Sequence, residues 1–374
     1  MKIHSCHRAS LASCILLFAS PFSLADTPLG WLNRDFPSAY TQTARTIDLQ
    51  LGAIAVNEDI DVLNIRDDIL AGTRRLEGDS GDLDGQKIDL QVGITATLSA
   101  FYRRQEQSLT VDLGEVSSVD LTSLDNTLDT SSTAYGFKWN FFESGYFDNT
   151  SPWHAASLEV TRLENQSQNF TGNVKKIALD SIEVIFTNPQ EFRLENLEDE
   201  GWSARLIYSF PLNTVMTTSV WAGYSESEST SGTNSDISVE VFKQAFLQAF
   251  ATEESHIKFG AGLNWQITPR IPLQVSYEYL RINKSETNVE GNSLNSVLPS
   301  FLRGDNLTNS SGAGNHTVQG NLSYWLTPNF NISLSAKVFS NQFLGVLPHF
   351  NNPLSGSFSD QPYGYAGLSV GFAI

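Results

Sequence analysis

The chain is short of thiols. Only two of its 374 residues are cysteine, and both, Cys6 and Cys14, fall within residues 1–25. That stretch opens with Lys2 and Arg8, runs through the apolar Leu11 to Phe18, and ends Phe22-Ser-Leu-Ala25 before Asp26. This is the layout of a secretory signal peptide cut after a small residue. Leu11-Ala-Ser-Cys14 has the look of a lipobox, but most of the apolar core follows Cys14 instead of preceding it, so lipidation is not expected. A chain exported on this leader keeps no cysteine, which excludes disulfides, a thiol nucleophile and thiolate metal ligands. Beyond the leader no apolar run reaches the ~18 residues that a membrane-crossing helix needs, which excludes a helical membrane protein. Positive charge is scarce too: 23 Lys and Arg stand against 41 Asp and Glu, a formal charge of -18. That balance excludes nucleic acid as a partner.

What remains is aromatic and alternating. The chain has 23 Phe, 11 Tyr, 7 Trp and 26 Gly, with only 17% charged residues. Tyr363-Gly-Tyr-Ala-Gly-Leu-Ser-Val-Gly-Phe-Ala-Ile374 alternates large apolar with small or polar side chains up to the last residue. In a strand this period of two sends Ala366, Leu368, Val370, Phe372 and Ile374 to one face, and Tyr365, Gly367, Ser369, Gly371 and Ala373 to the other. A soluble sandwich seldom finishes on so apolar a strand. A barrel in lipid must close with one, because every backbone group in hydrocarbon needs a partner.

The same template places strands near 45–56, 87–102, 107–114, 133–143, 153–162, 201–210, 214–225, 256–266, 272–282, 317–326, 330–340 and 362–374. Twelve strands are therefore expected. Fourteen is the alternative, with Ile177–Phe186 and Phe192–Leu197 forming one more hairpin about Thr187-Asn-Pro-Gln190. Connections alternate in length. Phe210-Pro-Leu-Asn-Thr214, Ile267-Thr-Pro-Arg-Ile271 and Leu326-Thr-Pro-Asn-Phe330 are short Pro-bearing turns, while 57–86, 163–200, 226–255, 283–316 and 341–361 are long. Short periplasmic turns and long extracellular loops are the asymmetry of an outer-membrane barrel.

The signal peptide, the hairpins Leu263–Tyr277 and Leu322–Leu334, and the closing strand together resemble the bacterial outer-membrane β-barrel superfamily, from about residue 45 onward. One departure is that members commonly end on an aromatic residue, whereas here Phe372 is third from the end and Ile374 is last. The resemblance implies an all-β, antiparallel transmembrane β-barrel in the outer membrane of a Gram-negative cell, with lipid, lipopolysaccharide and the barrel assembly machinery as partners. The expected organisation is a signal peptide (1–25), an N-terminal periplasmic lead-in (26–44) and a barrel (45–374). Residues 28–36 either lead into the barrel or tuck into its lumen.

With the apolar faces toward lipid, the opposite faces carry Asp48, Asp89, Asp112, Lys138, Glu159, Arg205, Lys258, Glu278 and Lys337. These are the candidate pore-lining residues, of mixed sign, and the competing reading of any one of them is a structural ion pair. Acids gather in the connections: nine against three Arg in 57–86, and eight against three bases in 163–200. Solvated charge explains most of this, and a negative mouth is expected to favour cations. Within Glu77–Gly85, Asp79, Asp82 and Asp84 are candidate oxygen ligands for a divalent cation bridging to lipopolysaccharide, without the spacing of an EF-hand. Asp236 to Thr252 changes to helical period, with Val239, Phe242, Phe246, Ala249 and Phe250 as one stripe. Phe242 and Phe246 are candidates for a lid or constriction.

Catalysis is not expected. His154 and Ser157 fall on opposite strand faces, and His256, His316 and His349 sit at loop edges, so no Ser-His pair is apparent. Nor is any cofactor implied. The expected function is passive passage of a small solute through a porin-like channel. The alternatives are a closed barrel whose loops serve adhesion or envelope work, and an outer-membrane lipid hydrolase.

Overall fold

The computed structural model describes residues 36–56, 80–111, 115–116, 119–123, 127–144, 154–179, 182–236, 250–289, 314–339 and 363–374. Fifteen strands lie among them: β1 Ile47–Val56, β2 Ser80–Gly93, β3 Leu98–Val111, β4 Glu115–Val116, β5 Val119–Ser123, β6 Thr127–Ser144, β7 His154–Ser167, β8 Phe170–Leu179, β9 Ile182–Asn213, β10 Met216–Ser235, β11 Phe250–Thr268, β12 Ile271–Val289, β13 Gly314–Thr327, β14 Phe330–Phe339 and β15 Tyr363–Ala373. All the pairings are antiparallel, and twelve of the strands close on themselves in the order β1-β2-β3-β6-β7-β9-β10-β11-β12-β13-β14-β15, with β15 paired back to β1. Among the described residues there is no helix.

The alternation of the sequence becomes the two faces of the wall. Leu206, Phe259, Leu334 and Leu368 point outward and are each more than half exposed, while Gln50, Asp89, Ser157, Asn321 and Ser333 point inward and are buried. Such a surface is the reverse of a soluble protein's and fits a barrel set in hydrocarbon. Aromatic rings mark its two rims. Trp139 packs with Phe141, and Tyr208 with His154 and Phe210, at the end that carries the short turns. At the other end Trp202 packs with Tyr224, and both donate hydrogen bonds to Glu226.

Twelve strands stand as expected, but several bounds move: β6 starts at Thr127, β9 at Ile182 and β11 at Phe250, while β10 runs on to Ser235 and β12 to Val289, each inside a segment expected as a connection. The apolar stretch 87–102 is not one strand: it straddles a tight turn at 94–97, where the N–H groups of Ile94 and Thr95 both donate to the Leu98 carbonyl. β2 therefore begins inside the expected loop 57–86, and β3 takes in residues 103–106. The fourteen-strand alternative is also corrected. β8 pairs with β9 over 170–179 and 182–194, but β7 pairs with the same edge of β9 lower down, over 197–209. β8 thus continues the course of β7 after a break at Gln168 and Asn169, and this hairpin rises out of the wall without adding staves. β9 changes direction at Asn196, whose φ of 52° coincides with a register shift against β10 at Thr230/Gly232. On the free edge of β8 the chain adds β5 and then β4. Over the last of the residues expected to be helical, 250–252, the chain is already in β11. Residues 237–249, with Phe242 and Phe246, lie outside the described residues, as do 1–35, with the expected signal peptide.

A large indole ring packs against the wall inside the lumen. Trp221 on β10 lies flat across Gly260 of β11, where an added methyl group would overlap the indole, and its Nε1 donates to Glu278 Oε2 on β12 at 2.8 Å. The three positions form one row of the ladder, Trp221 opposite Gly260 and Gly260 opposite Glu278. Only glycine leaves room for that crossing.

Two outcomes check this arrangement. Leu368→Arg places a charge in the apolar band and should cost about 2 to 4 kcal/mol of folding stability, whereas Leu368→Phe should be near neutral; urea titration followed by the gel shift of the folded barrel measures both. Gly260→Ala should destabilise by about 1 to 3 kcal/mol through overpacking. In a double-mutant cycle with Trp221→Ala that loss should largely disappear, since the indole is what the methyl group meets.

Candidate functional site

The end of the lumen nearest the short turns is occupied by the chain's own N-terminal segment. Phe36, Ala39, Tyr40 and Gln42 are buried. Ala39 N–H donates to Ser209 Oγ at 2.8 Å, and the Tyr40 ring joins Ala155, Ile207 and Trp221 in a small apolar cluster. Lys138 Nζ donates to the Tyr40 carbonyl at 3.4 Å, and Thr41 Oγ1 to the Ala96 carbonyl at 2.9 Å. The segment leaves the lumen and enters β1 through Arg45, whose φ of 65° is unusual for a residue with a Cβ. Arg45 N–H is held by the Gly93 carbonyl at 2.7 Å, and Gly93 approaches the Thr43 carbonyl so closely that no side chain fits there. Residues 36–42 thus lie inside the barrel, where the sequence favoured a periplasmic lead-in. The signal available was the composition of Phe36–Tyr40, apolar and Pro-bearing, just before the first strand.

Beyond this plug the inward side chains are charged. Lys138, Glu159 and Arg205 stand directly opposite one another on β6, β7 and β9. Lys138 Nζ lies 3.9 Å from Glu159, Arg205 donates to the other Glu159 oxygen, and Arg205 also reaches Glu278 at 3.7 Å. Two rows away, Asp89 is held between Lys87 and Arg103, each at 3.4 Å, with Arg103 also 4.7 Å above the Phe101 ring. A polar interior of this kind is stable only because opposite charges are paired and further hydrogen bonds complete each group. Between these groups lies a cavity of about 330 Å³. Lys87, Arg103, Arg205, Lys258 and Lys337 face it from one side of the balance, and Asp89, Asp199 and Glu278 from the other.

Of the nine candidate pore-lining residues, Asp48, Asp89, Lys138, Glu159, Arg205, Lys258, Glu278 and Lys337 all stand on the inward face, and Asp112 lies outside the described residues. The structure brings Lys138, Glu159, Arg205 and Glu278 into one ion-paired chain, while Asp48 lies near the plug among Gln50 and Gln91. Sequence reasoning missed Lys87, Arg103 and Asp199. Lys87 shares the odd parity of Asp89 on one strand, so its signal was present; Arg103 lies on β3, beyond the bounds expected for either strand, and Asp199 was hidden in what read as a loop.

His256 is a correction. Instead of sitting at an exposed loop edge it is buried on the inward face of β11, with Nε2 3.1 Å from Glu254 and Nδ1 3.3 Å from Ser225 Oγ. This line of Ser, His and Glu lies within paired strands, where the backbone N–H groups flanking Ser225 belong to the ladder and none is left to stabilise an oxyanion. It reads as a hydrogen-bonded strut. His154 faces outward against the Tyr208 hydroxyl at 2.7 Å while Ser157 faces the lumen, so these two do not meet. Of the candidate metal ligands, Asp79 and the Asp82 side chain lie outside the described residues, and Asp84 is exposed on β2. Among the described residues no group of three acidic, His or Cys side chains is placed to hold a metal ion.

No protein-family model matches the sequence, and no curated protein does. Solved structures resemble it only distantly. A NanC porin structure is 7% identical over 87% of this chain and 98% of its own, with a TM-score of 0.40. The translocator domain of the autotransporter NalP from Neisseria meningitidis is 11% identical over 90% of each chain, with a TM-score of 0.45. The toluene transporter TodX of P. putida is 7% identical over 89% of this chain and 90% of its own, with a TM-score of 0.38. The architecture stands on the strand pairing itself: the chain is a closed, twelve-stranded, antiparallel transmembrane β-barrel.

Proposed function

We propose that this barrel is a passive channel of a Gram-negative outer membrane, with its short turns in the periplasm, its long loops outside, and a small solute as its cargo. One observation carries the reading: a wall that is apolar outside encloses a cavity of about 330 Å³ lined by charged side chains from opposite staves. Burying so many charges costs stability that an apolar filling would not. A merely structural barrel gains nothing from that cost, whereas a solute path needs a wet lining that replaces the hydration of what passes. Export by the N-terminal leader and assembly by the barrel machinery belong to the same reading, with outer-membrane lipid and lipopolysaccharide as the surroundings.

The plug sets the state of the path. Residues 36–42 narrow its periplasmic end, where Ala39 and Thr41 donate to the wall and the Tyr40 carbonyl accepts from it, so they are the natural constriction.

The test is conductance in planar bilayers, with the full-length protein beside a variant lacking residues 30–42. The full-length barrel should pass a small, salt-dependent current, and the truncation should raise single-channel conductance several-fold by removing the narrowest section. If both proteins are electrically silent, and liposomes carrying the truncation admit neither sugars nor amino acids, the channel reading fails and a closed barrel with loop-borne function takes its place.

A further inference from the structure

We propose that the long-loop end of the lumen binds a neutral polyhydroxylated solute, a mono- or disaccharide, on a grid of amide and hydroxyl side chains centred on Asn165 and Ser167 of β7. The inference rests on the channel reading, for which it names the class of cargo.

On one side of the wall, charge stops part-way along the lumen. Nearer the plug the inward rows hold Lys138, Glu159 and Arg205, or Asp89 with Arg103, and these are ion-paired. Toward the long loops two consecutive inward rows on β3, β6 and β7 carry no charge at all. Gln105, Ser132 and Asn165 stand opposite one another in the first, and Gln107, Thr130 and Ser167 in the second. Every one of these six side chains can both donate and accept a hydrogen bond. The row beneath them passes through Ala134 and Leu163, which lay an apolar strip along the foot of the grid.

Part of the grid is satisfied from within. Gln105 donates to Gln107 Oε1 at 2.8 Å, and the Asn165 amide donates to Asp199 at the end of its row at 3.0 Å. The remainder is not: Asn165 Oδ1 and Ser167 Oγ are buried and make no hydrogen bond with the described residues, in the case of Asn165 on a side chain only 5% exposed. A buried oxygen left in this state costs stability that the fold does not recover, and such groups mark places where something else supplies the donor. Both oxygens come from the inward face of one strand, two residues or about 7 Å apart. Both residues also border open space. Asn165 lines the cavity of about 330 Å³, and Ser167 lines a second cavity of about 760 Å³.

These features select a ligand. An orphan acceptor calls for a donor, which an ether or a carboxylate lacks and a hydroxyl has. A hydroxyl accepts as well, so it also answers the amide and hydroxyl donors of the grid. The six side chains carry no formal charge to offset the desolvation of an ionic ligand, so a neutral one fits them. A sugar ring presents hydroxyl groups at its edge and C–H groups on its faces, and Ala134 and Leu163 supply the apolar strip for the latter. Cavities of about 330 and 760 Å³ lie in the range of small-molecule sites, which suits one or two rings and excludes a long polymer.

Binding is tested apart from conduction. Glucose, galactose, sucrose and maltose are titrated by calorimetry into the full-length protein in a detergent without a sugar head group. Tetraethylene glycol dimethyl ether, which only accepts hydrogen bonds, and putrescine, a cation, are the controls. At least one sugar should bind with a dissociation constant tighter than about 10 mM, and neither control should bind. The affinity should be indifferent to salt, because the ligand is neutral. S167A should weaken binding several-fold and N165A/S167A about tenfold or more, while S167T, which keeps the hydroxyl, should retain it. The gel shift of the folded barrel checks each variant, and where N165A/S167A does not fold, S167A against S167T decides. Failure of all four sugars to bind the wild type, or equal binding of the diether, overturns the site. Putrescine bound in place of the sugars overturns it in favour of a cation site, and sugar binding unchanged in the alanine variants overturns it too. Sugar binding that the alanine variants lose, with no current from the wild type in bilayers, upholds the site and removes the channel; current without sugar binding leaves the channel and removes the site.

Discussion

In hydrocarbon no water is available to a peptide group, and each backbone N–H and C=O must find its partner in the chain. The seam between β1 and β15 is where this requirement is met last along the sequence. Eight residue pairs close it, from Asp48 opposite Ala373 to Ala55 opposite Ala366, and Ile47 and Ile374 exchange two hydrogen bonds of 2.8 Å at its foot. The final residue of the chain is thus a structural member of the ring. Once the ring is closed, strand parity fixes all else. A side chain either meets lipid or meets the lumen, and a slip of one residue would exchange the two everywhere.

The second principle is electrostatic sorting. Charge that faces outward lies at the rim with the long loops, where Arg162 pairs with Glu164 and Glu200, and Arg104 with Glu106. Such exposed pairs are screened and add little stability. Charge that faces inward is buried, and there geometry decides. Glu159 is tolerable because Lys138 and Arg205 flank it in the same row, and Asp89 because Arg103 stands opposite it and Lys87 lies two residues along its own strand. Small residues at Gly223 and Gly260 break these rows where a ring or an amine needs space.

Parity is also why so much of this architecture was legible beforehand. Alternation in Trp202–Phe210, Ile257–Trp265 and Tyr363–Ile374 states both the strand and its inward face, so Arg205, Lys258 and Ser369 could be placed without coordinates. Four things escaped. The turn at 94–97 was invisible because Ile94, Thr95 and Thr97 are β-branched and continue the strand's composition. The upper half of β9 and β8 read as loop because their surroundings are not lipid, and the apolar alternation on which the reading depends lapses there. His256, Glu254 and Ser225 looked like loop-edge residues because nothing in sequence says which strands run on past the membrane. The lumenal course of Phe36–Gln42 escaped for a different reason: it has no period, and its burial depends on Ser209 and Lys138, far along the chain.

That short segment is joined to β1 by only a few residues about Arg45, which makes it an intramolecular ligand of the barrel. Its effective concentration at the seat formed by Ser209, Lys138 and the Trp221 cluster is set by the tether and not by the cell, on the order of millimolar or above for so short a link. Reseating after any excursion is therefore fast and independent of protein abundance. A free molecule competing for the same seat must match that local concentration or bind more tightly than the segment does.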